Sequence, residues 1–343
     1  MSEASPLVSV LVPVYNVAAY LPELIRSLRA QTFKNFEVLI LDDGSTDAIG
    51  SVLSSFEKAD RFRVFRWKTN RGLNTALREL LGLMRGDFWV SPGADDVLLP
   101  EFLERRAALF QKHPEAAIVH GAPEFIDEAG EKIPSPYPKL DLPEQLEGGR
   151  ALRVLLQHNI INQPSALVRS SVTQAVLPFF ECDWKYAPDW HLWILHVARG
   201  GSMIWDPRGL HKYRVHRHSL SLDPAKSSVR RAETALVPLC ALSAAATFSE
   251  PANVQWRQWR RALYARWLRR ALKLRREGLL DDSWLAPAAK AINKTAPDKI
   301  SLFGEAIKYS PAIAWTALKE RIARSRQTFG VAGLAQIDDP IFR

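Results

Sequence analysis

From Leu7 to Ala94 the chain alternates short apolar runs with stretches in which apolar residues recur every three or four positions. Leu7 to Pro13 is an almost unbroken apolar run, the mark of a strand buried on both faces. It stops at Pro13-Val14-Tyr15-Asn16, after which Tyr20, Leu21, Leu24, Ile25 and Leu28 mark one face of a helix. The same reading predicts strands over Phe36 to Leu41, Phe62 to Arg66 and Phe88 to Ser91, with a helix over Leu73 to Met84. Ser45 or Thr46 is placed to cap the helix after the second strand, and Asp47 suits its positive N-terminal end. A helix from Pro100 to about Gln111, a strand at Ala117 to His120 and a Pro-rich loop from Ile133 to Pro143 follow.

Strands alternating with helices are the rhythm of parallel pairing through crossovers. The expected fold class is therefore α/β, with a Rossmann-like, mostly parallel central sheet flanked by helices. In open sheets of this kind, ligands sit beyond the carboxyl ends of the strands. Polar clusters close strands one, two and four, so they are expected along one edge. Past Asp223-Pro224 the chain turns to nearly continuous helix rich in Ala, Arg and Trp. The expected division is 1–223 for the α/β domain and 224–343 for a helical C-terminal region.

Composition narrows the class. With 343 residues, 47% of them hydrophobic, the chain can bury a sizeable core, which excludes a disordered chain or a small stapled scaffold. No stretch approaches the roughly 18–20 apolar residues of a spanning helix, and the first residues lack a basic region followed by an apolar run. Two cysteines, Cys182 and Cys240, cannot build a disulfide framework. A reducing, cytoplasmic compartment is the simplest expectation. The formal charge of +9 calls for an anionic partner. It leaves open a phosphate-rich substrate, an acidic membrane surface or a nucleic acid.

Chemistry concentrates in two acidic pairs, Asp42-Asp43 and Asp95-Asp96, each closing a β-rich run. Carboxylates gathered at strand ends repel one another and call for a hard cation such as Mg²⁺ or Mn²⁺, with a diphosphate as natural co-ligand. Aspartate is also an ordinary turn residue. The occurrence of both pairs in this order within the strand–helix rhythm favours the chemical reading.

These residues resemble the family 2 glycosyltransferases, which have the GT-A fold and invert the anomeric centre. The resemblance rests on VSVLVPVYN at Val8 to Asn16, SLRAQTF at Ser27 to Phe33, EVLILDDGSTD at Glu37 to Asp47, NRGL at Asn70 to Leu73 and GADD at Gly93 to Asp96. It spans roughly the first 220 residues. It implies that Asp43 contacts the base of a nucleotide sugar, most simply a UDP-sugar, and that Pro13, Tyr15, Asn16 and Asn70 line the donor pocket. Asp96 is the implied ligand of Mn²⁺ or Mg²⁺, with Asp95 beside it near the ribose. Two departures stand out: Gly93 occupies a position where relatives read Asp, and Arg78 one where Asn is usual.

Ala187-Pro188-Asp189-Trp190-His191-Leu192-Trp193 is similar to the family's acidic-Asp-x-x-Leu-Trp element, whose Asp deprotonates the acceptor hydroxyl. That role falls on Asp189, although an Asp at a helix start is also an ordinary cap. Pro188 stands where an acidic neighbour is usual. His216, in Tyr213 to Ser219, matches a YRxHxxS element and is a candidate metal ligand as well as a candidate structural residue. His191 and His158 are expected to be structural or acceptor-side.

The resemblance implies an inverting, metal-dependent glycosyltransferase of hexosyltransferase type. Its donor would be a nucleotide sugar and its acceptor a glycan or lipid-linked hydroxyl. Two rivals share parts of the pattern: a non-catalytic sugar or nucleotide-sugar binding module, and a sugar-phosphate nucleotidyltransferase. The absence of a Gly-rich N-terminal phosphate loop weighs against the second. From Trp256 to Arg270, tryptophans at helical spacing face arginines. Such a helix suits either peripheral contact with an anionic membrane or packing on the catalytic domain. No nucleic-acid motif accompanies the charge, so no nucleic-acid partner is expected.

Overall fold

A computed structural model describes residues 8–55, 61–137, 142–180, 184, 186–216, 219, 233–234, 236–238, 240–241, 273–274 and 277–278. The expected Trp256 to Arg270 helix lies outside them.

Among the described residues, twelve strands form two sheets. β1 (Val8–Val14), β2 (Phe36–Asp42), β3 (Phe62–Arg66) and β4 (Phe88–Val90) are the strands expected from the apolar runs. β5 (Val97–Leu98), β6 (Ala116–Gly121), β7 (Glu124–Ile126), β8 (Lys132–Ile133), β9 (Gln145–Leu146), β10 (Leu167–Arg169), β11 (Ser202–Asp206) and β12 (His211–Arg214) follow. The large sheet runs β3-β2-β1-β4-β10-β6-β11-β9, and the small one β5-β12-β7-β8. β1, β2, β3 and β4 pair in parallel. Three-residue β10 is antiparallel to both β4 and β6, so β6 and its parallel neighbour β11 run in the sense of β1.

Alternation along the buried strands sorts the helices into two layers. Val8, Val10 and Val12 of β1 face α1 (Leu21–Arg29), α2 (Ile49–Ser54) and α4 (Phe102–Lys112). Leu11, Leu39 and Leu41 face the opposite layer, built from α3 (Leu73–Leu83), α5 (Gly148–Leu155), α6 (Ser170–Val176) and α7 (Pro188–Ala198). Every residue of β1 and β2 is buried, as two-sided coverage requires. Each such aliphatic side chain contributes roughly 1.5–3 kcal/mol by leaving water. Leu236, Val237, Cys240 and Ala241, which lie past residue 224, are buried in the same cluster as α7.

Pro13 sits inside β1 without breaking the sheet. β4 ends at Val90, paired with Val10, so at Pro13 the strand has a ladder partner on the β2 side alone. A missing N–H there costs little. The predicted caps differ from the structure. α2 starts at Ile49 with Ala48 as its N-cap, so neither Ser45 nor Thr46 caps it. Instead the Ile49 N–H donates to Asp47 Oδ1 at 3.2 Å, while Ser45 and Thr46 are held by Asn16.

Candidate functional site

The ends of β1 and β2 are tied into one polar rim. Asn16 adopts φ 52, which brings its backbone N–H to Ser45 Oγ at 3.0 Å and its Oδ1 to the Thr46 N–H at 2.8 Å. Asp43 is buried, and its carboxylate accepts the N–H groups of Arg71 at 2.6 Å and Gly72 at 2.8 Å. Asn70 Oδ1 accepts the same Gly72 N–H at 3.1 Å. Gly44 makes this approach possible. Its φ is +71, and a Cβ there would lie 2.6–2.9 Å from backbone atoms of Thr69 and Asn70. Tyr15 stands 43% exposed at the rim, whereas Pro13 is buried in the sheet. The structure thus brings Tyr15, Asn16, Asp43 and Asn70 to one edge.

The second cluster owes its form to β5. This two-residue strand begins immediately after Asp96 and pairs antiparallel with β12, His211 against Leu98 and Lys212 against Val97. The register carries the residues that follow β12 onto the acidic turn. His216 Nε2 lies 2.8 Å from Asp95 Oδ2, and the His216 ring stacks on Tyr20 with centroids 5.0 Å apart. Burial raises the Asp95 pKa first, and the Asp96 charge raises it further, while His216 opposes both.

Asp96 is bound differently. Its Oδ2 accepts the Gly93 N–H at 3.0 Å and lies 2.9 Å from His211 Nε2, and its Oδ1 accepts the Arg214 N–H at 3.0 Å. Arg214 is buried, and its guanidinium donates to the carbonyls of Asp95, Asp127 and Glu128 and to Glu23 Oε2. Asp96 is therefore a buried organiser of the turn, while the Asp95 side chain keeps 24% of its surface open.

Asp95 and Asp96 still converge. A Cβ on Gly93 would lie 2.6 Å from Asp95 Oδ1 and 2.7 Å from Asp96 Oδ2. Among the described residues, no group of three or more His, Cys, Asp or Glu side chains forms a ready-made metal cage. Two converging carboxylates with an imidazole make an oxygen-rich donor set of the kind that suits Mg²⁺ or Mn²⁺ when a substrate completes the coordination. The residues present fit such an ion.

Asp189 opens α7 just after Pro188. α7 leads directly into β11, which runs in the sense of β1, so its N-terminus points to the carboxyl edge where the acidic turns lie. The N-cap of α7 is Ala187, which offers no side-chain cap, and the Asp189 carboxylate in the first turn draws on the N–H groups of Asp189 and Trp190. The Asp189 carboxylate also accepts the Asn159 amide at 3.0 Å. Burial pushes its pKa up to about 6, with the charge of Glu233 adding to the rise and the Asn159 hydrogen bond opposing it.

His191 is buried and accepts the Trp184 indole N–H at 2.8 Å, which makes it structural, while His158 is exposed. Arg78 donates to the Phe180 carbonyl at 3.2 Å, tying α3 to the loop before α7. Four residues of this edge escape the sequence reading: Asn159, His211, Arg214 and Glu233. Arg214 is the Arg of the recognised YRxHxxS element and His211 lies two positions before that element, so both could have been sought there. Asn159 and Glu233 act from 30 and 44 positions away in the chain, and no local pattern marks them.

An α/β sheet whose strands end in acidic turns, closed by a small second sheet, is the architecture of GT-A glycosyltransferases. The model of the family described as Glycosyl transferase family 2 matches residues 9–173. An uncharacterized glycosyltransferase of Haemophilus influenzae is 31% identical over 223 residues, covering 64% of this chain and 68% of that protein. One from Rickettsia typhi is 31% identical over 216 residues, covering 62% and 65% respectively. The chain belongs to glycosyl transferase family 2 and is a glycosyltransferase. Among solved structures, residues 1–349 of S. aureus TarS in complex with UDP-GlcNAc share the fold at a TM-score of 0.61 and 18% identity, over 94% of this chain and 92% of that one. Among the described residues no helix is long and apolar enough to cross a membrane.

Proposed function

We propose that the protein transfers a sugar from a UDP-sugar to a hydroxyl of a glycan or lipid-linked acceptor, with inversion and with a divalent metal. The observation that carries this reading is the seating of His216 on Asp95 at the mouth of the acidic turn. Asp95, Asp96 and His216 would hold Mn²⁺ or Mg²⁺ there, with Asp96 also fixing the turn from behind. The ion, when bound, neutralises charge developing on the leaving diphosphate.

The chain's own residues supply the rest. Tyr15, Asn16 and Asn70 frame the nucleoside, and Asp43 presents a carboxylate to the base. Asp189 takes the proton of the acceptor hydroxyl as it attacks the anomeric carbon, and a single displacement inverts that centre. A base with a pKa of about 6 is ionised at neutral pH yet basic enough to accept a proton. TarS, which has the same fold, was crystallised with UDP-GlcNAc and with UDP, which supports uridine as the base. A cytoplasmic site of action, peripheral on a membrane, fits a lipid-linked acceptor.

Thermal stabilisation by UDP-, GDP- and dTDP-sugars, with and without Mn²⁺, tests the donor. UDP-sugars should stabilise most and only in full with Mn²⁺, by about 2.7 kcal/mol at a hundredfold excess over the dissociation constant. Equal stabilisation with and without metal, or a preference for GDP, contradicts the assignment. Mn²⁺-dependent binding without any release of UDP would favour a binding module.

A further inference from the structure

Glu233 lies past the last strand, in a segment whose described residues are helical, and it is fully buried. Its Oε2 accepts the N–H of Tyr186 at 2.6 Å and that of Ala187 at 3.0 Å. A carboxylate removed from water is costly unless hydrogen-bonded, so these bonds fix both partners. The partners are the two residues that lead into α7. Ala187 is its N-cap, Pro188 supplies neither charge nor N–H, and Asp189 comes next.

A helix N-terminus favours an anion, commonly from the first residues of the helix itself. Here the anion arrives from another element. The entry of α7 is held from outside, and the Asp189 carboxylate is left to face Asn159. The anchor is buried. Leu236, Val237, Cys240 and Ala241, from the same segment as Glu233, pack in one core with Trp184, Trp190 and Trp193 around the start of α7.

We propose that Glu233 is the positioning residue of the catalytic base: through its bonds to the Tyr186 and Ala187 N–H groups it fixes the α7 entry that aims Asp189. The proposal rests on the reading of Asp189 as the base. Among the described residues, the groups that face Asp189 are Asn159 from the loop after α5, the Trp190 N–H of its own helix, and Glu233 from the segment beyond β12. Of these, Glu233 alone carries charge. Its negative field makes the Asp189 anion harder to form, so removing it should let the base ionise at lower pH.

Two variants of the full chain separate position from field, with turnover of UDP-GlcNAc in Mn²⁺ read as UDP release. Glu233→Gln keeps an oxygen for both N–H groups and loses the charge, so the acidic limb of kcat should move to lower pH with the KM for UDP-GlcNAc unchanged. Glu233→Ala loses both bonds, so kcat should fall by up to about 10²-fold, the cost of a misplaced reacting group, again with little change in KM. A folded Glu233→Ala with parental kcat overturns the proposal, and a folded Glu233→Gln that keeps both hydrogen bonds yet loses kcat by about 10²-fold overturns it even if Glu233→Ala fails to fold. Asp189→Asn keeps the two readings apart. If it retains parental turnover, the base assignment falls and this proposal with it; if it is inactive while both Glu233 variants behave as the parent, only the proposal falls.

Discussion

Asn159 donates its amide to Oδ2 of Asp189 at 3.0 Å, and that bond opposes the burial that lifts the carboxyl to about 6. A hydrogen bond to the charged form stabilises it. Removing the donor therefore raises the pKa further and leaves less ionised base at neutral pH. In Asn159→Ala the acidic limb of kcat should move to higher pH, opposite to the shift expected for Glu233→Gln. A pH–rate profile measured between 5 and 8 checks the sign; movement to lower pH contradicts the assignment.

Asp189 itself admits a sharper test. Asp189→Asn preserves shape and the contact with Asn159 but cannot accept a proton at neutral pH. Loss of a general base costs about 10²–10⁴ in rate. UDP binding, measured by calorimetry with Mn²⁺, should stay near the parental value, because the residue is assigned to the acceptor. Near-parental turnover would leave Asp189 as a residue of the helix start and nothing more.

The acidic turn predicts a division of labour between neighbours. Asp95→Asn should abolish most of the Mn²⁺-dependent gain in UDP affinity and leave stability nearly intact, since its side chain is partly open. Asp96→Asn should instead lower stability, because the carboxylate serves three donors in a buried site and hydrogen bonds to charged groups contribute about 1.5–3 kcal/mol each. Gly93→Asp, which restores the acid usual in relatives, should weaken metal binding, because its Cβ would crowd both carboxylates. Equal loss of Mn²⁺ affinity in Asp95→Asn and Asp96→Asn, with unchanged melting temperatures, would show that both are plain ligands.

The parts legible in the sequence are those with a local signature. β1 and β2 are unbroken apolar runs, and their buried faces follow from that pattern alone. The acidic turns and His216 announce themselves through short motifs at strand ends. What was hidden depends on residues far apart in the chain meeting. Three-residue β10 carries too little pattern to reveal an antiparallel strand set between β4 and β6. The different duties of Asp95 and Asp96 follow from β5 pairing with β12, more than 110 residues away. Glu233 reaches the α7 entry across 46 positions from Ala187, and neither end of that contact carries a mark of the other. Ser45 and Thr46 have good capping chemistry, but the side chain and backbone of Asn16 engage them first.

Two buried histidines predict how the fold responds to acid. Burial lowers the pKa of His120 to about 3, with Arg106 adding to the effect, and burial lowers that of His196 to about 4. Both values lie below the 6.5 of an unfolded histidine, so between these limits the unfolded chain binds more protons. Stability is then lost as pH falls from about 6.5 toward 4. At pH 5 each histidine costs up to roughly 2 kcal/mol. Asp189 acts in the other sense, because its raised pKa favours the protonated folded form below about 6, but it offsets only part of the loss. Urea melts should therefore give a lower unfolding free energy at pH 5 than at pH 7.5. In His196→Gln, which keeps polar atoms within reach of Thr173 Oγ1 and the Leu192 carbonyl but does not titrate, about half of the histidine contribution to that loss should disappear. A parent profile that is flat between pH 7.5 and 5 would mean that these imidazoles are not held neutral in the core.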